Sequence, residues 1–284
     1  MVLNPHTGLV SLQFHTKYVP DLDALASLDR AATEAVIDRS LKRLGVERLD
    51  LVQFSWWDYA VPRYVEVAQW LGELRDAGKI RHVGATNFDT PRMREMLDAG
   101  VPLVSNQVQY SLLDRRPEQA LATLAEERGL ALIGYGALAG GLLTQPYLDA
   151  PPLSEPFANR SLVKYRLIVE EAGGWSRYQD LLRTLAAIAQ RHGRELSDVA
   201  LRWVLDRPTV AAAMVGTFHG RHLASNLAAL SLSLTAEDRT EIEAALARLE
   251  DLHGDVFGLE REEEGPHSRI MWKNLAGQPS AAPR

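Results

Sequence analysis

The sequence predicts an α/β fold on a parallel sheet of the TIM-barrel kind, with about six β/α units where a closed barrel needs eight. Three observations carry this. The chain has 284 residues, and one α/β barrel takes about 250. Short apolar runs alternate with longer amphipathic stretches, and strands separated by single helices pair in parallel because parallel neighbours need a crossover. Only six such units can be counted.

The elements follow in order. VSLQFHTK (10–17) is β-rich, and Val36, Ile37, Leu41 and Leu44 then mark a helix. DLVQFSW (50–56) is a strand; Tyr64, Val67, Leu71 and Leu74 give a helix ending at Gly78. IRHVGATN (80–87) is a strand, after which Pro91 opens and Gly100 closes a helix. LVSNQVQ (103–109) is followed by a helix over Glu118–Arg128, and LALIGYG (130–136) by a segment broken by Pro146, Pro151, Pro152 and Pro156. Leu181, Leu185 and Ile188 lie on one helical face, and another helix starts at Ser197. VAAAMVG (210–216) is the last strand, before helices near 221–231 and 236–250. No linker interrupts 9–250, so a single domain over 1–284 is expected, with irregular ends at 1–8 and 252–284. The acidic run Glu260–Glu264 reads as a solvated surface segment.

Composition sets the class. Hydrophobic residues make up 46% and charged residues 24%, which excludes general disorder. The net charge of −6 gives no electrostatic footprint for nucleic acid. There is no cysteine, which removes disulfides, thiolate metal sites and cysteine nucleophiles. No stretch approaches the roughly 20 apolar residues of a membrane span, and no secretory signal opens the chain. A cytoplasmic protein is expected, without nucleic-acid, membrane or metal partners.

Candidate site residues stand at the carboxyl ends of the strands, where a parallel barrel places its active site. Lys17 ends the first strand; it can tune a neighbouring acid or simply reach water. Ser55, Trp56, Trp57 and Asp58 end the second. Two tryptophans can wall a substrate pocket, but successive strand residues face opposite ways, so at most one does. Thr86 and Asn87 end the third strand; Asp89 or Thr90 serves as N-cap of the next helix, leaving both without that job. Asn106 and Gln107 end the fourth. Amide side chains at successive strand ends can converge on a ligand amide, while a turn role is the alternative for Asn87.

Gly134-Tyr135-Gly136-Ala137-Leu138-Ala139 matches G-x-G-x-x-A, with Glu155 about where a ribose-binding acid would sit. The following prolines leave no helix for a dinucleotide-binding βαβ unit, so the glycines instead let backbone pass close to a ligand. Gly216-Thr217-Phe218-His219 leads into the helix at 221–231, whose first N–H groups can hold a phosphate. His219 and His222 read as surface residues rather than metal ligands.

Taken in order, TK at 16–17, RSLKRLGVERLDLVQF at 39–54, GKIRHVGATNFD at 78–89, SNQVQYSLLDRR at 105–116, YGALAGGLL at 135–143, and MVG at 214–216 with NLAAL at 226–230 resemble the aldo-keto reductase family. The resemblance covers about residues 9–250. It implies a (β/α)8 barrel that binds extended NADP(H) or NAD(H) and transfers hydride between the cofactor and a small carbonyl or alcohol. By that resemblance Lys17 is the lysine that lowers the pKa of the catalytic tyrosine. Thr86, Asn87 and Gln107 hold the nicotinamide carboxamide, and Tyr135 stacks on the nicotinamide. Gly136, Ala137, Leu138 and Gly140 belong to the pyrophosphate loop, and Gly216, Thr217, Phe218, His222 and Asn226 to the adenosine end.

Three departures stand out. Ser55 occupies the position of the family's catalytic histidine. Phe218 and His222 fall where basic residues often meet the NADP 2′-phosphate, with Arg221 as a stand-in. The units carrying the catalytic aspartate and tyrosine have no counterpart upstream of Lys17. Two expectations follow: a truncated reading frame with coding sequence upstream of Met1, or a pseudoenzyme that binds nucleotide or partners without turnover. Six units would also leave two sheet edges open to self-association.

Overall fold

The computed structural model describes residues 13–157, 159–216, 220, 222–271 and 273–274, and the backbone alone at 2–3 and 10–11. Two short strands, β1 (Val2–Leu3) and β2 (Val10–Ser11), pair antiparallel. Six more enter one sheet in chain order: β3 (His15–Tyr18), β4 (Leu49–Phe54), β5 (Ile80–Thr86), β6 (Leu103–Gln109), β7 (Ala131–Tyr135) and β8 (Val210–Met214). The pairs β3–β4, β4–β5, β5–β6 and β7–β8 are parallel. By internal packing the chain divides into two compact units, 1–107 with 271–284, and 108–270.

In the first unit α1 (Arg30–Leu44), α2 (Tyr64–Asp76) and α3 (Thr90–Asp98) follow their strands. Asp29 caps α1, its Oδ1 accepting from Ala32 N at 2.7 Å, and Gly45 ends it in the left-handed region at φ 67°. Asp89 caps α3 by accepting from Arg92 N at 3.0 Å, so the cap falls where the sequence puts it. Val52, Phe54, Val67, Leu71, Val83 and Met93 form a fully buried core. The first expected strand is shorter than its apolar run. Its ladder begins at His15, paired with Leu51, while Asp50 Oδ2 accepts from Phe14 N just before it.

In the second unit α4 (Leu121–Arg128), α5 (Arg160–Glu171), α6 (Gly174–His192), α7 (Leu196–Leu205), α8 (Leu223–Ala228) and α9 (Ala236–Leu246) surround an apolar core that includes Leu142, Ile168, Leu181, Leu185, Val199 and Trp203. Helix α5 is absent from the sequence reading, which runs the proline-rich segment straight into α6. Its start is nonetheless encoded: Asn159 Oδ1 accepts from Leu162 N, and Leu162, Tyr165, Ile168 and Val169 bury one face.

The stretch past residue 252, expected to be irregular, carries two one-turn helices, α10 (Gly258–Arg261) and α11 (Pro266–Arg269). The solvated reading of the acidic run holds for Glu262, Glu263 and Glu264 but is corrected at Glu260, which is 1% exposed. Its carboxylate meets the Arg116 guanidinium at 3.2 Å and the Lys164 ammonium at 3.3 Å. Arg116 in turn forms a bidentate pair with buried Asp114, at 2.9 and 2.7 Å. Opposite charges, invisible in a local reading of the run, account for its burial.

Candidate functional site

The first unit assembles its candidates where β5 and β6 end side by side. Thr86 pairs in register with Gln107. The Gln107 carbonyl accepts from both Thr86 Oγ1 and Asn87 N, each at 3.0 Å. Asn87 reaches this bond only by turning into the left-handed region, φ 61°, which asparagine tolerates better than other side chains. Backbone and hydroxyl bonding thus lock Thr86, Asn87 and Gln107 into one polar corner, with Thr86 and Gln107 buried. Neighbouring Asn106 is turned to a different job: its Nδ2 donates to Phe88 O at 2.8 Å.

Lys17 lies near the end of β3, paired in register with Gln53, and Ser55 directly follows β4, its N donating to Tyr18 O at 3.0 Å. Lys17 is exposed, yet the protein around its ammonium removes enough water to lower its pKa from the ordinary lysine value. Ser55 is 6% exposed.

Of the two tryptophans, Trp56 is corrected from pocket wall to core. It is fully buried, packs on Phe54 and Tyr64, and its Nε1 donates to the carbonyls of Asp58 (2.8 Å) and Val61 (3.0 Å). Trp57 is half-buried, and its Nε1 has no hydrogen-bond partner among the described residues. Both lie just past the end of β4, where the chain turns toward α2.

The second unit holds a cavity of about 990 Å³. The loop after β7 forms one wall through Gly136, Ala137, Leu138, Gly140 and Gly141, and Gly216, His222 and Asn226 contribute to the other. Ala139 N donates to Gly136 O at 2.7 Å and Gly141 N to Leu138 O at 2.9 Å, so the loop turns on itself, with Gly136 and Gly140 left-handed. A side chain at either glycine would strike Tyr165 of α5; a Cβ on Gly140 would lie 2.5 Å from its ring. The glycines therefore serve both the turn and a tyrosine packed against bare backbone. Burial raises the Tyr165 pKa, keeping its hydroxyl neutral. The Asn226 Nδ2 donor, at the cavity wall, is buried without a hydrogen-bond partner among the described residues. Such a group invites a polar ligand. The sequence reading missed Tyr165, Thr144, Asn159 and Glu195 in this lining. The helical spacing of α5 was the signal for the first. Thr217 and Phe218, with His219 and Arg221, lie outside the described residues.

A parallel six-stranded sheet with helices following its strands defines an α/β fold of the TIM-barrel kind. The chain belongs to the aldo/keto reductase family, which it matches over residues 10–247. It is 30% identical to protein tas of Escherichia coli (strain K12), over 77% of this chain and 67% of that one. It is 29% identical to the aldo-keto reductase YhdN of Bacillus subtilis (strain 168), over 77% of this chain and 64% of the other. The NADH-specific methylglyoxal reductase of Escherichia coli (strain K12) is 28% identical, over 81% and 70%. Among solved structures, the glycerol dehydrogenase of Gluconobacter oxydans superposes with a TM-score of 0.67 at 28% identity, over 77% of this chain and 64% of that one. The chain spans 39% of the flagellar radial spoke protein 5 of Chlamydomonas reinhardtii and 64% of YhdN. No helix among the described residues is long and apolar enough to cross a membrane.

Proposed function

We propose that the chain binds a nicotinamide dinucleotide and exchanges hydride between it and a small carbonyl or alcohol in the cytoplasm. The observation that carries this is the glycine-walled cavity with an Asn226 donor in its wall that has no hydrogen-bond partner among the described residues. Gly136, Ala137, Leu138 and Gly140 would hold the pyrophosphate, and Gly216 and Asn226 the adenosine end. Thr86, Asn87 and Gln107 would hold the carboxamide, and Tyr135 would stack on the nicotinamide. The dinucleotide, when bound, supplies the hydride at nicotinamide C4. Ser55 can donate a hydrogen bond to a carbonyl oxygen, and Trp57 can offer its Nε1–H beside an apolar ring. Lys17 places a positive charge at the end of β3, where it stabilises a developing oxyanion.

NADP(H) is the choice implied by family resemblance, with NAD(H) as the alternative; Thr217, Phe218, His219 and Arg221, which bear on that choice, lie outside the described residues.

Titrating the chain with NADH and NADPH is expected to quench tryptophan fluorescence. Loss of 340 nm absorbance on adding members of an aldehyde panel reports turnover. No quenching by either dinucleotide would refute the proposal. Quenching without turnover would support a second reading, a dinucleotide-binding pseudoenzyme. Ser55 favours this reading, because a hydroxyl cannot perform the proton chemistry of an imidazole.

Self-association through the sheet edge is part of the same proposal. Met214 of β8 and Leu223 and Leu227 of α8 are 48%, 48% and 52% exposed, the kind of apolar surface that marks contact sites. Light scattering is expected to give a mass above the 31.5 kDa of one chain; a monomer at high concentration would contradict it.

A further inference from the structure

Lys164 lies outside every motif discussed above, yet its ammonium meets one face of the Tyr135 ring, the ring proposed to stack on the nicotinamide. Its ammonium lies over the Tyr135 ring, 5.3 Å from the centroid, and within 5.9 Å of Tyr165 and 5.7 Å of Phe257. Three aromatic rings thus surround one cation whose side chain is only 14% exposed. Such a cation is attracted by the negative ring faces, more strongly where water is excluded. Glu260, fully buried, forms an ion pair with the ammonium at 3.3 Å and is itself held by Arg116 at 3.2 Å. Lys164 is one residue before Tyr165, whose ring fills the space beside Gly136 and Gly140. A single turn of α5 therefore supports both the glycine loop and Tyr135.

We infer that Lys164 is a positioning residue for the cofactor: it holds one face of Tyr135 so that the other is presented to the nicotinamide. The residues Phe257 and Glu260 of the C-terminal segment hold Lys164 in turn. Lys164 touches no reacting atom in this arrangement. It removes the freedom of a half-buried ring before the ligand arrives, so less order is lost on binding. The inference rests on the dinucleotide reading above, and the experiment separates the two.

Binding of NADH and NADPH, and of ADP-ribose as a probe lacking the nicotinamide, is measured by calorimetry for the wild type, K164M, K164Q and K164R. Circular dichroism melts identify the variants that fold. The dinucleotide Kd is expected to rise roughly 3- to 30-fold in K164M and K164Q, while the ADP-ribose Kd stays within about twofold. K164R is expected to restore dinucleotide binding, because a guanidinium also stacks on rings and pairs with a carboxylate. An equal loss for ADP-ribose, or unchanged dinucleotide binding in the neutral variants, would overturn the role of Lys164. So would failure of both neutral variants to fold, since Lys164 would then be a structural residue. A wild type that binds ADP-ribose but neither dinucleotide would overturn the dinucleotide reading, and this inference with it.

Discussion

Replacing Arg116 with methionine is expected to cost about 3–5 kcal/mol of stability, because it strands buried carboxylates rather than removing a matched pair. Asp114 and Glu260 are 0% and 1% exposed, and the guanidinium bonds both. Gln109 Nε2, donating to Asp114 at 2.6 Å, and Lys164 would remain, and neither replaces the bidentate pair. A urea midpoint moved by less than the equivalent of about 1 kcal/mol would show that the cluster contributes little beyond an exposed pair. The same cluster sets an acid limb. Burial by itself would raise the Glu260 pKa, but the charges of Lys164 and Arg116 outweigh it and hold the carboxyl below the usual range. A depressed folded-state pKa stabilises the protein above the unfolded value, and that stability is lost as pH falls toward the folded one. The wild type is therefore expected to lose stability as pH drops below about 4.3. R116M should show a shallower limb, Glu260 having lost one of the two charges that depress it.

Trp56→Ala is expected to cost about 3–5 kcal/mol as well, through a cavity in the core of the first unit and two turn carbonyls left without a donor. The ring is fully buried between Phe54 and Tyr64. Trp57→Ala, one residue away and half-buried, should change stability by less than about 1 kcal/mol. Thermal melts of both variants settle the division of labour; a larger effect at Trp57 would reverse it.

What could be read from the sequence, and what could not, follows from how far apart the interacting residues lie. Strand β6 is found at the bounds its apolar run gives, Leu103–Gln109, and α3 starts at the cap offered by Asp89. These signals are local: an apolar run bounded by breakers, or one side chain bonding an amide three residues on. The polar corner was legible as residue types at strand ends, because a parallel sheet brings successive carboxyl ends together. Asn87 takes the turn role that the sequence offered as one alternative, and its left-handed backbone supplies the N–H that ties the corner. Helix α5 was hidden because prolines just before it masked a cap formed by Asn159. Glu260 was unreadable for a different reason: its partner lies 144 residues earlier, and nothing in EREEE distinguishes the buried carboxylate from the exposed ones.

That separation also bears on the order of synthesis. Arg116 leaves the ribosome 144 residues before Glu260, a delay of roughly 7–30 s at about 5–20 residues per second. During that interval Asp114 is available to pair with the guanidinium, but the carboxylate that completes the cluster does not yet exist. The packing around Arg116 therefore closes only once Glu260 has emerged, and the short helix that carries Glu260 acts as the latch for a turn made long before it.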